Sequence, residues 1–125
     1  MKSWSFTLAI GLLTIALAAP AHATKVLYTA PALDFFSGGE KLFCNVVNAG
    51  TSTVDVTIEA HYDDGTLQAM GSLPLAPGHY NVLTAQNLAS AYCRFVIQGP
   101  ARGIRAEAVY IDLQTGERTV TVPAR

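Results

Sequence analysis

Thr53-Val54-Asp55-Val56-Thr57-Ile58-Glu59-Ala60-His61-Tyr62 is the stretch on which the fold turns. Val54, Val56, Ile58, Ala60 and Tyr62 occupy alternate positions, and Thr53, Asp55, Thr57, Glu59 and His61 fill the positions between them. Successive side chains of an extended chain point to opposite faces, so a period of two with one apolar face predicts a half-buried β-strand. The next four residues, Asp63-Asp64-Gly65-Thr66, carry the Asp-Gly signal of a tight hairpin. The chain is then expected to return antiparallel through Leu67 to Leu73.

The same reading extends in both directions. Lys25 to Thr29 and Lys41 to Val47 precede this hairpin as strands, and Asn48-Ala49-Gly50-Thr51 ends the second of them. Asp34 to Gly39, with paired glycines, reads as a loop. Leu75-Ala76-Pro77-Gly78 has Pro and Gly in the order that a type II turn prefers. His79 to Thr84, Tyr92 to Gln98, Gly103 to Leu113 and Arg118 to Val122 follow as strands, and Ala85 to Ala91 is the one stretch expected to make a short helical turn. Seven or eight short strands at spacings of about 8–12 residues are the pattern of a single antiparallel β-sandwich. There are no repeats and no linker composition, so residues 24–125 read as one domain.

The first residues have a different character. Lys2 supplies a positive charge, Phe6 to Ala19 is apolar apart from Thr7, Gly11 and Thr14, and Ala21-His22-Ala23 presents small residues at the positions a signal peptidase reads. Residues 1–23 are therefore expected to be a cleavable leader. The apolar run is shorter than the roughly 20 residues of a membrane-spanning helix. An exported chain, periplasmic or secreted, meets an oxidising compartment. There its only two cysteines, Cys44 and Cys93, are expected to pair. A redox Cys-x-x-Cys motif is absent, and each cysteine lies inside an alternating strand pattern (Leu42, Cys44, Val46 and Cys93, Phe95, Ile97).

A strand bearing Cys44, a ladder of hairpins and a late strand bearing Cys93 resemble the immunoglobulin-like or fibronectin-III-like sandwiches of small exported bacterial proteins. The Leu75-x-Pro77-Gly78 turn before a strand is also familiar from such domains. The resemblance covers the whole of residues 24–125 and implies an all-β sandwich with one disulfide, but it carries over no functional residue. The only tryptophan, Trp4, lies in the expected leader, and Tyr92 adjoins Cys93, whereas the corner tyrosine of antibody domains stands two residues before the second cysteine.

Residues 24–125 hold seven Lys or Arg and nine Asp or Glu, a net charge of −2. No basic run is present, which argues against nucleic acid and other polyanions as partners. Asp55, Glu59, His61 and Asp63 share one strand face, yet ligands on a flat strand diverge where a cation needs them to converge. His61 and His79 read as surface residues, and Asp63-Asp64 are accounted for by the turn they precede. No Gly-x-Ser-x-Gly elbow surrounds Ser52, Ser72 or Ser90. Neither catalytic residues, metal ligands nor a cofactor are therefore assigned.

One set is left over. If Cys44 and Cys93 point inward, then Phe43, Val47, Tyr92 and Val96 point outward beside Arg94 and Val109, as a candidate protein-contact surface. A loop such as Ala32 to Gly39, with Phe35 and Phe36, is the alternative occupant of that face. The function expected from these features is a non-catalytic exported binding or structural module. The alternatives are an inhibitor of a secreted or envelope hydrolase using Asp34 to Gly39 or Asn48 to Thr51, and an assembly subunit pairing through its first or last strand.

Overall fold

A computed structural model of the chain describes residues 23–33, 40–86, 90–112 and 115–125. Its strands are β1 (Thr24–Tyr28), β2 (Ala32–Leu33), β3 (Glu40–Asn48), β4 (Val54–Tyr62), β5 (Leu67–Leu75), β6 (Tyr80–Gln86), β7 (Ser90–Gln98), β8 (Ile104–Asp112) and β9 (Arg118–Pro123). They form two sheets whose pairings are all antiparallel. The first has the order β1-β7-β4-β5, with the two-residue β2 also on β7, and the second has the order β6-β3-β8-β9. The molecule is an all-β, two-layer sandwich, with no helix among the described residues.

Burial follows the alternation that the sequence displays. Val54, Val56, Ile58 and Ala60 of β4 turn inward, with Tyr62 packed against the same core. They meet Cys93, Phe95 and Ile97 of β7 and Leu42, Cys44 and Val46 of β3. Excluding water from each larger aliphatic or aromatic side chain contributes about 1.5–3 kcal/mol, which works against the entropy lost on ordering the strands. The β4–β5 hairpin closes through Gly65 N–H to Tyr62 O at 3.0 Å and Tyr62 N–H to Thr66 O at 2.9 Å. The Ala76–His79 turn closes through His79 N–H to Ala76 O at 3.1 Å.

Two boundaries differ from expectation. β5 runs on through Pro74 to Leu75, which an edge strand tolerates because one side of its backbone needs no ladder partner. The helical turn expected over Ala85 to Ala91 is strand at both ends. Ala85 belongs to β6 and Ala91 to β7, both buried in the core. Burial of these small side chains between the layers overrides local helix propensity. Residues 1–22 of the expected leader, the expected loop 34–39, and residues 87–89 and 113–114 lie outside the described residues.

Cys44 and Cys93 are bonded, with Cα atoms 5.6 Å apart and a sequence separation of 49. Each sits on an interior strand of its sheet, so the bond crosses the core and ties the two layers together. Closing a loop of this length restricts the unfolded chain by about 4 kcal/mol. Cys44→Ala/Cys93→Ala should therefore lower unfolding free energy by about that amount in denaturant titration, and strong reductant should lower the melting temperature of the wild type only.

The loops at one end are fixed by a buried polar residue. Asn48, at the end of β3, donates from Nδ2 to Ser52 O at 2.9 Å and to Leu75 O at 2.8 Å, while its Oδ1 accepts from Gly50 N–H at 2.9 Å. Its own backbone bonds His79 O at 2.9 Å and Gly78 N–H at 2.7 Å. Three connections, β3–β4, β5–β6 and β7–β8, are thereby drawn together, the last through Ala49 N–H to Gly103 O at 3.0 Å. Gly103 has φ +90°, and a Cβ there would lie 2.6 Å from Gly50 N, so only glycine fits. Asn48→Ala strands two carbonyls and one amide near the interior, and should cost about 2–4 kcal/mol in chemical denaturation without changing the far-ultraviolet spectrum.

The open side of β1 is met at Tyr28 by Arg125. Tyr28 and Arg125 exchange both backbone hydrogen bonds at 3.0 Å, while Ala124 N–H continues the second sheet by donating to Ala106 O at 2.9 Å. Residues 124 and 125 thus bridge from the edge of one sheet to the edge of the other.

Candidate functional site: the outward face of the first sheet

Antiparallel register lines up side chains from four strands on the outward face of the first sheet. One row contains Tyr28 of β1, Arg94 of β7, Glu59 of β4 and Met70 of β5. The next contains Tyr92, His61 and Leu67. Tyr28, Leu67 and Met70 are exposed, Met70 to 60%, whereas Glu59 between them is only 9% exposed.

An acidic side chain covered to that degree needs partners. Arg94 Nη1 donates to both oxygens of Glu59 at 2.8 Å, and His61 Nε2 lies 2.7 Å from Glu59 Oε2. His61 Nδ1 lies 3.0 Å from Gly65 O, so each ring nitrogen faces an oxygen that accepts hydrogen bonds. The imidazole stacks on Tyr92 with centroids 5.2 Å apart and planes 10° from parallel. Arg94 Nε donates to the Tyr28 hydroxyl at 3.3 Å, and its guanidinium carbon sits 5.9 Å from the Tyr28 ring centre.

Burial pushes the Glu59 carboxyl up, but hydrogen bonds from Arg94 and then His61, together with their charges, outweigh it and hold the group below its ordinary value. The Glu59 hydrogen bond and charge push Arg94 in the opposite direction, with help from the Tyr28 hydroxyl. A carboxyl whose folded value is depressed adds stability above the unfolded value, and that contribution disappears as pH falls through the folded one. Glu59→Gln should thus be less stable than wild type at neutral pH by about 1–3 kcal/mol, toward the low end because the Arg94 side chain is 32% exposed. Urea titrations from pH 7 to pH 3 should show the difference shrinking once pH drops below the unfolded value near 4.5.

The candidate contact residues divide between two surfaces. Tyr92, Arg94 and Val96 lie together on β7 in the first sheet, with Val96 facing Val26 and Thr57. Phe43 and Val47 lie on β3 in the second sheet, so the single surface expected from alternation is corrected to two, on opposite sides of the molecule. The physical reason is the disulfide: two strands joined through the core turn their outward faces away from each other. Val109 pairs with Phe43 and stays on the second side. There Val47 adjoins Tyr80, which is 77% exposed, and a cavity of about 400 Å³ lies beside them, lined also by Asn45, Arg105 and Glu107. Of the segment Ala32 to Gly39, considered as a cover, Ala32 and Leu33 form β2 and pair with Ala91 and Ser90 of β7, and residues 34–39 lie outside the described residues.

Other expectations change as well. His61 is not a surface residue: its side chain is 13% exposed, enclosed by Glu59 and Tyr92. His79 is exposed, with Nδ1 3.1 Å from Pro77 O. Of the four polar residues expected on one strand face, Glu59 and His61 are bonded to each other, Asp55 is exposed, and Asp63 lies exposed in the turn after β4. Among the described residues no group of three or more His, Cys, Asp or Glu is placed to hold a metal ion. Tyr28, Glu59 and Met70 were absent from the sequence-derived contact set. Their partnership with Arg94 depends on β1 and β4 flanking β7, which no local pattern encodes.

No family model matches the chain, and no curated protein and no solved structure shows significant similarity to it.

Proposed function

We propose that residues 24–125 act, after removal of the leader and export to the periplasm or beyond, as a non-catalytic binding module. Its contact surface is the outward face of the first sheet around Tyr28, Met70, Tyr92 and Arg94, and its partner is another protein. The observation that carries this reading is the Glu59–Arg94 pair, which is largely covered while the tyrosine and methionine at either side of it are exposed. Protein contact surfaces are enriched in aromatic residues, Met and Arg. Side chains already fixed by an internal ion pair and by ring stacking lose little entropy when a partner docks. The disulfide is compatible with an oxidising compartment. The bridge between two interior strands also supports an immunoglobulin-like reading, although β1 lies beside β7 and β8 beside β3, where the constant-type order places the first strand next to the second.

A second reading places the contact on the opposite face, at Phe43, Val47 and Tyr80. The exposure of Tyr80 beside a cavity favours it. Inhibition of a hydrolase through Asn48 to Thr51 fits less well, because Asn48 is buried and Ala49 is bonded to Gly103. Pairing through the first strand competes with the Tyr28–Arg125 backbone bonds.

Met70→Lys/Tyr28→Ser should reduce capture of a partner from envelope extract at least tenfold while shifting the melting temperature by no more than a few degrees, and Tyr80→Ser should leave capture intact. The reverse pattern assigns the contact to the second sheet. Equal capture by both variants and the wild type removes the proposal.

A further inference from the structure

The cations that the sequence scatters are gathered at one end of the sandwich. Where β3 leads into β4 and β7 into β8, the two loops border a cleft of about 500 Å³ whose lining includes Thr51, Ser52, Arg102 and Arg105, and no carboxylate. A neighbouring cavity of about 440 Å³ shares Arg105 and is also lined by Lys25 and Arg125, with Glu107 on its wall. Four of the seven Lys or Arg of residues 24–125 therefore stand at this end.

These charges differ from Arg94, which Glu59 neutralises. Arg102 and Arg105 join no ion pair among the described residues, and Arg105 Nη1 bonds only the Ile104 carbonyl at 3.1 Å. Meanwhile Asp63, Asp64 and Glu117 occupy turns at the opposite end and Asp112 ends β8 there, whereas Asp55 and Glu107 are the acids nearer the cleft end. A chain with a net charge of −2 thus presents a locally positive cleft, and fields from its unmatched guanidinium groups reach an approaching anion.

The cleft is also rigid. Its two walls are joined by Ala49 N–H to Gly103 O at 3.0 Å, and Asn48 holds Gly50 and Ser52 in place. Gly50 and Gly103 approach so closely that a Cβ on Gly50 would stand 2.7 Å from Arg102 O. A ligand entering here does not have to order the loops, which removes a common cost of binding.

Guanidinium groups offer only donors, in a fork that matches anionic oxygens, and each hydroxyl of Thr51 and Ser52 adds another. Two forks and two hydroxyls exceed what the two oxygens of a carboxylate use and suit a tetrahedral oxyanion. We propose that this cleft is an anion site that takes a phosphate group, either as a free phosphate or as a phosphorylated headgroup. It is separate from the first-sheet face and does not depend on the role proposed for that face.

The test uses the purified chain, inorganic phosphate in calorimetric titration at low ionic strength, and cosedimentation with phosphatidylglycerol–phosphatidylcholine vesicles. Saturable binding is expected, weakened at least tenfold by Arg102→Gln/Arg105→Gln and unaffected by Lys41→Gln at the far end. Both arginines are exposed, so the double variant should retain the wild-type melting temperature; single substitutions with intermediate losses provide a second check. Arginine-dependent binding of free phosphate identifies a soluble ligand, and arginine-dependent vesicle binding identifies a headgroup; both support the site. Absence of binding in both arms, or binding that survives the double substitution, overturns it.

Discussion

The covalent tie between Cys44 and Cys93 is the constraint from which the surfaces of this molecule follow. It runs through the interior, from the middle of one sheet to the middle of the other, with Cα atoms 5.6 Å apart. Residues adjacent to each cysteine must then face outward on opposite sides. The bond also sets the scale of stability: a chain of this size has only about 5–15 kcal/mol to spare, and one cross-link over a 49-residue interval accounts for a substantial part of it. The interior side chains then need only fill the space between two layers already held in register, which suits the mostly small β-branched residues of β4 and β7.

Charge is handled in two contrasting ways. On the first sheet, Glu59 is covered, and its cost is met by Arg94 and His61 at hydrogen-bonding distance. The polar residues there act as a scaffold that fixes the rings of Tyr28 and Tyr92. At the β3–β4 end, Arg102 and Arg105 remain in solvent with no carboxylate opposite. A matched buried pair contributes order and little outward field, whereas unmatched exposed cations contribute field and little order. The two regions are therefore suited to different partners, one to a shaped protein surface and the other to a small anion.

Alternation made the strands legible because each has one face in a dry interior, and a shift of one residue would turn the whole apolar set into water. That is why β4 begins within one residue of the expected position and why Leu42, Cys44, Cys93 and Phe95 are all inside. Sheet membership was not legible. Nothing local to Phe43 or Tyr92 states that their strands belong to different layers, since that depends on β1 pairing with β7 and β8 with β3, contacts separated by about 60–70 residues. Glu59 was hidden for the same reason, looking like any solvent-facing acid until Arg94, 35 residues away, is placed beside it. Arg102 and Arg105 were visible as residues but not as a pair on a cleft, because the opposite wall comes from Thr51 and Ser52 on another connection.

The sandwich has two sheets and so four edges, and their treatment bears on how the molecule meets others. The β1 and β9 sides approach each other through residues 124 and 125, which bond to Ala106 and Tyr28. β5 carries Pro74, which cannot donate to a neighbour, and its pairing with β4 slips between Ala60 and His61. A proline and an irregular register both discourage addition of a further strand. β6 is a regular edge with exposed apolar side chains, Tyr80 and Val82. Backbone pairing is thus discouraged along β5 and at Tyr28 of β1, which favours side-chain faces over these edges as the means of contact. The firmly held side chains of the first sheet are what such a mode of recognition requires.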